Sequence, residues 1–323
     1  MAFLIPAIII ILLIALFFAI TYIPYRIAFH NSEKSKKYYS NPRLPLEGDD
    51  YAAYSDRVLA AVNRVLKFPC EDVYIASHDG LKLHGRYFHN GDGYPIEIFV
   101  HGYRSSGYRD GSGSIELGPD FGFNLIVIDQ RGGGMSEGNV ISFGIKEKYD
   151  ILSWIDYVRE RFGDDQKIIL AGVSMGASTV MLASALDLPE NVRCITADCG
   201  YSDQKEIIAK IAGEMKFPPK LVMPLLRLGA RLYGGFDLYD ETPLEAVKRA
   251  KVPIFFAHGE KDGFVPCKMC YELYDACASD KVLFIAEGAA HGLSFIEKKK
   301  EYCDLLKVFF TKHGAVDMEK DNF

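Results

Sequence analysis

The residues best suited to chemistry begin with Ser174, the centre of the segment Gly-Val-Ser-Met-Gly at 172–176. A mostly apolar run at 167–171 precedes this segment, and an apolar helical pattern follows it from Ala177, so Ser174 stands at a predicted strand-to-helix turn. The two glycines permit a sharp turn that exposes the serine hydroxyl. The sequence therefore predicts a nucleophile; the alternative is a serine that only caps a helix in an ordinary turn.

A serine hydroxyl is a weak nucleophile, so it needs a general base and an acid that orients the base. His291 follows the last predicted strand, and Asp262 follows the strand before it. We expect His291 to accept the proton of Ser174 and Asp262 to hold the imidazole. Asp198, which also follows a predicted strand, is an alternative acid, whereas His258 is expected to hydrogen-bond locally.

An oxyanion formed during attack on a carbonyl needs donors that are already in place. Met175, directly after the nucleophile, offers one backbone N–H at the start of the predicted helix. The loop His101-Gly102-Tyr103 follows a predicted strand at 96–100, and Gly102 lets the backbone approach closely. We therefore expect the N–H groups of Tyr103 and Met175 to form the oxyanion hole.

The elements that must position these residues alternate between strand and helix patterns. An Asp-Gly turn at 79–80 joins two runs that predict an antiparallel hairpin over 73–77 and 81–88. The other predicted strands are short apolar runs at 96–100, 125–128, 168–170, 195–197, 253–256 and 282–285. The predicted helices lie at 145–161, 177–186, 244–249, 267–278 and 294–312. This pattern predicts an α/β fold with a mostly parallel sheet and helices on both faces, and with functional residues at the carboxyl ends of the strands.

Five motifs together resemble the α/β-hydrolase superfamily. They are HGY at 101–103, DQRGGGMSEG at 129–138, GVSMG at 172–176, HGEKDGFVP at 258–266 and AAHG at 289–292. More narrowly, they look like the branch that groups serine aminopeptidase-like hydrolases with membrane-associated lipid and acyl hydrolases. The resemblance covers about residues 70–313, with Gly133 where the family usually has His. It implies two-step acyl transfer through an acyl-enzyme, in the chain order Ser174, Asp262, His291, with no metal or organic cofactor.

The distribution of charged and apolar residues divides the chain into a membrane segment and a globular body. The chain has 323 residues and a net charge of −6, a balance that argues against disorder and against nucleic-acid binding. Residues 2–23 carry no charge, and a helix of that length spans about 33 Å, enough to cross a bilayer. We predict an uncleaved transmembrane helix; the alternatives are a cleaved signal peptide, which would be shorter and follow a basic start, and a buried core helix.

Basic residues follow this helix, namely Arg26, Lys34, Lys36, Lys37 and Arg43. The positive-inside rule therefore places the body of this single-pass protein in the cytoplasm. The seven cysteines give no sign of a secreted disulfide framework, and Cys267 and Cys270 are interpreted as small apolar side chains rather than metal ligands.

The predicted organisation has four parts. Residues 1–24 form the membrane anchor, and 25–69 form a juxtamembrane connector with an amphipathic helix. Residues 70–313 form the hydrolase domain, within which 201–240 are predicted to form a small helical cap with an apolar inner face, or else helices simply packed on the sheet. Residues 314–323 form a polar tail.

The predicted function is that of a membrane-anchored serine hydrolase of carboxylic esters, including lipid or acyl-thioester substrates. The alternatives are a serine peptidase of the aminopeptidase-like type and a nonhydrolytic binding protein of the same fold. An aminopeptidase should hold the substrate amine with paired acidic residues, and the sequence reveals no such pair.

Overall fold

The computed structural model of the protein describes residues 3–45, 51 and 53–317. Its centre is one eight-stranded sheet in the order β1-β2-β4-β3-β5-β6-β7-β8. The strands are β1 Glu71–Ala76, β2 Lys82–Phe88, β3 Ile96–Val100, β4 Asn124–Asp129, β5 Ile168–Val173, β6 Val192–Asp198, β7 Ile254–Gly259 and β8 Lys281–Ala286. Strand β2 runs antiparallel to both of its neighbours, β1 and β4, and β3 to β8 are parallel, so the carboxyl ends of β3 to β8 meet at one edge.

Helices cover both faces of the sheet. They are α1 Leu4–Ala28, α2 Glu33–Tyr39, α3 Ser55–Val65, α4 Gly107–Asp110, α5 Ser112–Phe121, α6 Glu147–Phe162, α7 Met175–Ala183, α8 Gln204–Glu214, α9 Pro219–Gly229, α10 Pro243–Val247, α11 Lys268–Ala276, α12 Ser294–Glu297 and α13 Lys299–Lys312. Helices α6, α7, α10 and α11 pack on one face, and α5 and α13 pack on the other. The predicted α/β architecture is confirmed.

Burial explains why the central strands read as continuous apolar runs. All five residues of β3 are buried, because Ile96, Ile98 and Val100 face one helical layer while Phe99 faces the other. At the edge, β1 alternates between exposed and buried residues and pairs with β2 through the turn at Gly80, whose φ is +87°. The antiparallel hairpin therefore has the predicted turn.

Two parts of the helical pattern differ from the prediction. The helix predicted over 294–312 is broken at Lys298, where φ is −121° and ψ is 44°, into α12 and α13. Helices α4 and α5 are not evident from the sequence, because Gly and Pro are poor helix formers and this stretch contains Gly107, Gly111 and Pro119. Their packing against β3 and β4 outweighs this weak propensity.

Helix α1 continues through Pro24 to Ala28 and has two distinct parts. Residues 3–20 are all exposed, whereas Thr21 and Tyr25 are buried against α9 and the π-helical turn that follows it. The Thr21 hydroxyl lies 2.9 Å from the Tyr233 hydroxyl. The apolar segment is thus an exposed helix whose end is part of the folded domain.

The segments around the hydrolase domain also contain helices. In the connector, α3 buries Val58, Val62 and Val65. Within residues 201–240, α8 and α9 pack on each other, and α9 packs on the end of α1. Residues 1–2 of the predicted anchor, 46–50 and 52 of the predicted connector, and 318–323 of the predicted tail lie outside the described residues.

The junction between α1 and α9 depends on Gly229. A Cβ at Gly229 would lie 2.7 Å from the Thr21 carbonyl oxygen and 2.9 Å from Tyr25 Cβ, so Gly229→Ala must push the helices apart. We expect it to lower the free energy of unfolding by about 1–3 kcal/mol, measured by thermal unfolding of the full chain in detergent.

The matched control is Gly213→Ala on α8, where a Cβ would have only Pro219 Cγ, at 3.8 Å, as a neighbour. This substitution is expected to be neutral or to stabilise by up to about 1 kcal/mol, because alanine favours a helix. Equal midpoints for the two variants would contradict close packing between α1 and α9.

Candidate active site

The turn between β5 and α7 forces Ser174 into a strained backbone conformation, with φ 56° and ψ −118°. Residues 172 and 176 must both be glycine, because backbone atoms lie where a Cβ would stand. A Cβ at Gly172 would lie 2.4 Å from the Gly176 carbonyl carbon, and a Cβ at Gly176 would lie 2.0 Å from the Val100 carbonyl oxygen. The tight turn therefore projects the Ser174 side chain beyond the end of the sheet.

Ser174, His291 and Asp262 lie together although 117 and 29 residues separate the neighbouring pairs along the chain. Ser174 Oγ is 2.9 Å from His291 Nε2, and His291 Nδ1 is 2.6 Å from Asp262 Oδ2. With the proton on Nδ1 donated to the carboxylate, Nε2 is free to accept the serine proton. The arrangement can thus activate the hydroxyl.

Asp262 is held by donors on both of its oxygens. Oδ1 accepts from the N–H groups of Phe264 and Val265 at 2.9 and 2.8 Å, and His258 Nε2 is 3.2 Å from Oδ2. Burial by itself would raise the pKa of Asp262, but hydrogen bonds from His258 and His291 lower it to about 2. The carboxylate is therefore ionised at neutral pH and can stabilise an imidazolium.

Asp198, the alternative acid, points elsewhere. Its carboxylate accepts a hydrogen bond of 2.9 Å from the Ser294 hydroxyl, and its backbone carbonyl accepts one of 2.8 Å from Ser174 N–H. Burial raises the pKa of Asp198 to about 6. Asp198 therefore supports the serine turn through its backbone, whereas Asp262 contacts the imidazole of His291.

The two expected oxyanion donors lie at the same end of the sheet. Met175 is the first residue of α7, and the first N–H groups of a helix have no partner within that helix. A Cβ at Gly102 would lie 3.4 Å from Ser174 Cβ, so the loop that carries Tyr103 passes directly beside the serine. Gly102 N–H donates to Asp110 Oδ2 at 2.8 Å, which fixes this loop.

The loop that carries Tyr103 also holds the end of α1, a contact that no sequence pattern predicts. The Tyr103 hydroxyl donates to the carbonyl of Ala28 at 2.8 Å, and burial raises the pKa of Tyr103 to about 12. Arg104 donates to the carbonyls of Ile27 and His30 at 2.9 and 3.0 Å. These bonds satisfy carbonyls that a helix leaves unpaired at its C-terminus.

Two clusters of potential metal ligands occur among the described residues. One consists of Cys199 with Asp262 and His291, and the other of His78 with Asp79 and Asp150. In the second, both carboxylates are bound to the guanidinium of Arg131. In the first, Asp262 and His291 already hydrogen-bond each other, as part of the chain of hydrogen bonds that leads to Ser174.

A cavity of about 530 Å³ opens beside Ser174 and His291. Connector residues line its outer part, including Tyr38, Tyr39 and Tyr51. In the part of the chain that the structure describes, no residue of 201–240 contributes to the lining, since that segment packs against α1. The small helical cap predicted for residues 201–240 stays a prediction.

Comparisons with known proteins agree with this architecture. A family model for the alpha/beta hydrolase fold matches residues 98–218. The uncharacterized protein YqkD of Bacillus subtilis is 26% identical over 191 residues, which make up 59% of this chain and 63% of that protein. Among solved structures, the esterase Pf2001 of Pyrococcus furiosus superposes with a TM-score of 0.63 at 23% identity, covering 77% of this chain and 95% of its own.

The acylaminoacyl peptidase of Pyrococcus horikoshii has a TM-score of 0.57 at 20% identity, covering 79% of this chain and 43% of its own. The strand order, the tight serine turn and the family match define the class. The chain has the fold of the α/β-hydrolase superfamily, as its motifs predicted. The narrower resemblance to one branch of that superfamily stays a prediction.

The contacts of the two acids predict different effects for the same chemical change. Asp262→Asn should lower kcat for a short 4-nitrophenyl ester by about 10³–10⁴-fold, because the amide no longer fixes the required imidazole tautomer. Asp198→Asn, equally buried, should lower kcat by less than about tenfold, because it leaves the Asp262–His291 bond in place. A larger loss of kcat in Asp198→Asn would contradict the assignment of Asp262 as the orienting acid.

Proposed function

We propose that the protein is a membrane-anchored serine hydrolase that cleaves carboxylic esters through an acyl-enzyme. The observation that carries this proposal is the chain of hydrogen bonds from Ser174 through His291 to Asp262, set on a strained turn at the mouth of a cavity. Such a chain supplies nucleophile, base and orienting acid together.

The proposed reaction has two steps. Ser174 Oγ attacks the ester carbonyl while His291 Nε2 takes the hydroxyl proton, and the N–H groups of Tyr103 and Met175 bind the oxyanion. The tetrahedral intermediate collapses, His291 returns the proton to the departing alcohol, and the acyl group stays on Ser174. Water activated by His291 then attacks the acyl-enzyme and releases the carboxylic acid.

An ester is favoured over a peptide with a free amine by the state of the acids that line the cavity. Asp110 accepts hydrogen bonds from Gly102 N–H and the Ser105 hydroxyl, and Asp198 accepts one from Ser294. Both carboxylates already bond groups of the protein, and the third acid of the lining, Glu97, is level with Ile169, five residues before Ser174. The runner-up function is a serine peptidase, for which the structural likeness to an acylaminoacyl peptidase is the supporting observation.

Ser174→Ala should abolish turnover of every acyl substrate, with a loss in kcat of at least about 10³-fold, while the thermal midpoint changes little. The wild-type chain should cleave 4-nitrophenyl acyl esters faster than aminoacyl 4-nitroanilides, and a fluorophosphonate probe should label it but not the variant. Faster anilide cleavage would favour the peptidase. Full activity of Ser174→Ala would sink the assignment of the nucleophile.

The membrane anchor is supported by the way α1 joins the domain. Helix α1 is long and apolar enough to cross a membrane, and its end buries Thr21 and Tyr25 in the hydrolase domain. Cleavage as a signal peptide would remove these buried side chains and uncover the apolar surface of α9 beneath them. Leu221, Leu228 and Leu232, on and after α9, are also exposed.

We therefore expect the chain to keep its N-terminal segment in the membrane fraction, with an intact mass that includes residues 2–23. A purified chain that begins after this segment would contradict an uncleaved anchor. A cysteine introduced after residue 320 should resist impermeant maleimide in intact cells, because the positive-inside rule places the domain in the cytoplasm. Ready labelling would show that the domain lies on the opposite side of the membrane.

A further inference from the structure

The cavity beside Ser174 has a second part that follows one face of the sheet away from the active site. Six of its lining residues alternate along three neighbouring strands: Glu97 and Phe99 on β3, Ala171 and Val173 on β5, and Thr196 and Asp198 on β6. Phe99 pairs with Ala171, which pairs with Thr196. Alternate residues of a strand share a face, so these six lie on one side, the side that α5 and α13 cover.

We call this part of the cavity the acyl arm, defined by these six residues and by the helical side chains opposite them. Its opposite wall is mostly apolar and comes from Leu117, Phe123, Tyr302 and Leu306. On the sheet side, the small side chains of Ala171 and Thr196 leave space between the two layers. A narrow apolar channel that leads from a nucleophile suits an extended hydrocarbon chain.

The register of β3 and β5 gives the reach of the acyl arm. Glu97 pairs with Ile169, five residues before Ser174 on the same strand and turn. Five residues at about 3.3 Å each correspond to about 16 Å, roughly the length of an extended acyl chain of 12 carbons. A chain attached to Ser174 would thus bring its far end to Glu97.

The far end of the acyl arm is polar, unlike its walls. Glu97, the second residue of β3, is 3% exposed at this end, and Thr196, which is level with Ala171 and thus nearer Ser174, is 6% exposed on β6. Among the described residues, Glu97 Oε1 and Thr196 Oγ1 have no hydrogen-bond partner, while Ser114 bonds the Glu97 carboxyl. Burial raises the pKa of Glu97 to about 7. A buried carboxyl oxygen and a buried hydroxyl oxygen that lack partners destabilise the fold unless a ligand satisfies them.

We propose that the acyl arm binds the acyl chain of the substrate and that Glu97 hydrogen-bonds a hydroxyl group near the far end of that chain. The inference rests on the proposed ester hydrolysis at Ser174. A plain methyl end would leave Glu97 Oε1 unsatisfied. A carboxylate end would be repelled by ionised Glu97, and an ammonium end would lose its hydration in an apolar channel.

The test compares substrates that differ only at the far end. The full chain in detergent is given 4-nitrophenyl esters of acetate, dodecanoate, 12-hydroxydodecanoate and 12-aminododecanoate. The wild-type kcat/KM should be about tenfold higher for the hydroxylated chain than for the plain chain, the value of one satisfied hydrogen bond. Equal values, or a preference for the amine, would overturn the proposal.

Two substitutions of Glu97 separate hydrogen bonding from packing. Glu97→Gln keeps a donor and an acceptor and should retain the preference for the hydroxylated chain. Glu97→Met, of similar size, should favour the plain chain, and an unchanged preference would overturn the role of Glu97. Both variants should hydrolyse acetate at the wild-type rate, because acetate does not reach Glu97.

A third substitution tests the path of the chain. Ala171→Leu should lower kcat/KM at least about tenfold for both long chains and leave acetate hydrolysis within about twofold, because the larger side chain closes the acyl arm. Unchanged hydrolysis of the long chains would contradict a substrate in this part of the cavity. Failure of the wild-type chain on every ester, acetate included, would instead refute the proposed function.

Discussion

The active site depends on one backbone constraint, the close contact between the serine turn and the end of the neighbouring strand. Gly176 touches the Val100 carbonyl, and Ser174 adopts a positive φ that costs about 1–3 kcal/mol. Hydrogen bonds from Ser174 N–H to Asp198 and from Ser178 N–H to Ser174 hold this turn. Because β5 lies between β3 and β6, the turn is flanked by the loops that follow both of these strands.

The same parallel order explains why distant residues converge. The loops after β3, β6, β7 and β8 all emerge at the edge where Ser174 lies, so they bring Tyr103, Asp198, Asp262 and His291 together. Asp262 is then kept ionised by its donors, with a pKa of about 2. Since this folded-state pKa lies below the usual value, its contribution to stability is present above about pH 4 and is lost as the pH falls towards 2.

Sequence patterns predict the parts of this account that depend on local periodicity and on motifs. Buried strands such as β3 appear as apolar runs, and the glycines around Ser174 mark a tight turn that the structure requires. Helices α4 and α5 could not be predicted, because tertiary packing outweighs their glycines. Contacts such as Tyr103 with Ala28 join residues 75 positions apart and have no local signal.

The position of Glu97 in a channel could also not be predicted from the sequence. In a strand that reads Ile-Glu-Ile-Phe-Val, one carboxyl among apolar residues gives no hint of a channel, which requires Ala171 and Thr196 on neighbouring strands. Likewise, the end of α1 packs on α9 and is hydrogen-bonded to the loop beside Ser174. The N-terminal helix therefore belongs to the architecture of the site as well as to the proposed contact with a membrane.

The central claim is that Ser174 carries the acyl group during turnover. Rapid acid quenching of the wild-type chain with a medium-chain 4-nitrophenyl ester, followed by peptide mass spectrometry, tests it most directly. The account predicts an acyl adduct on the peptide that contains Ser174 and assigns it to that side chain. Turnover with no adduct there, or an adduct on Cys199, whose Sγ lies 4.0 Å from His291 Nε2, would contradict it.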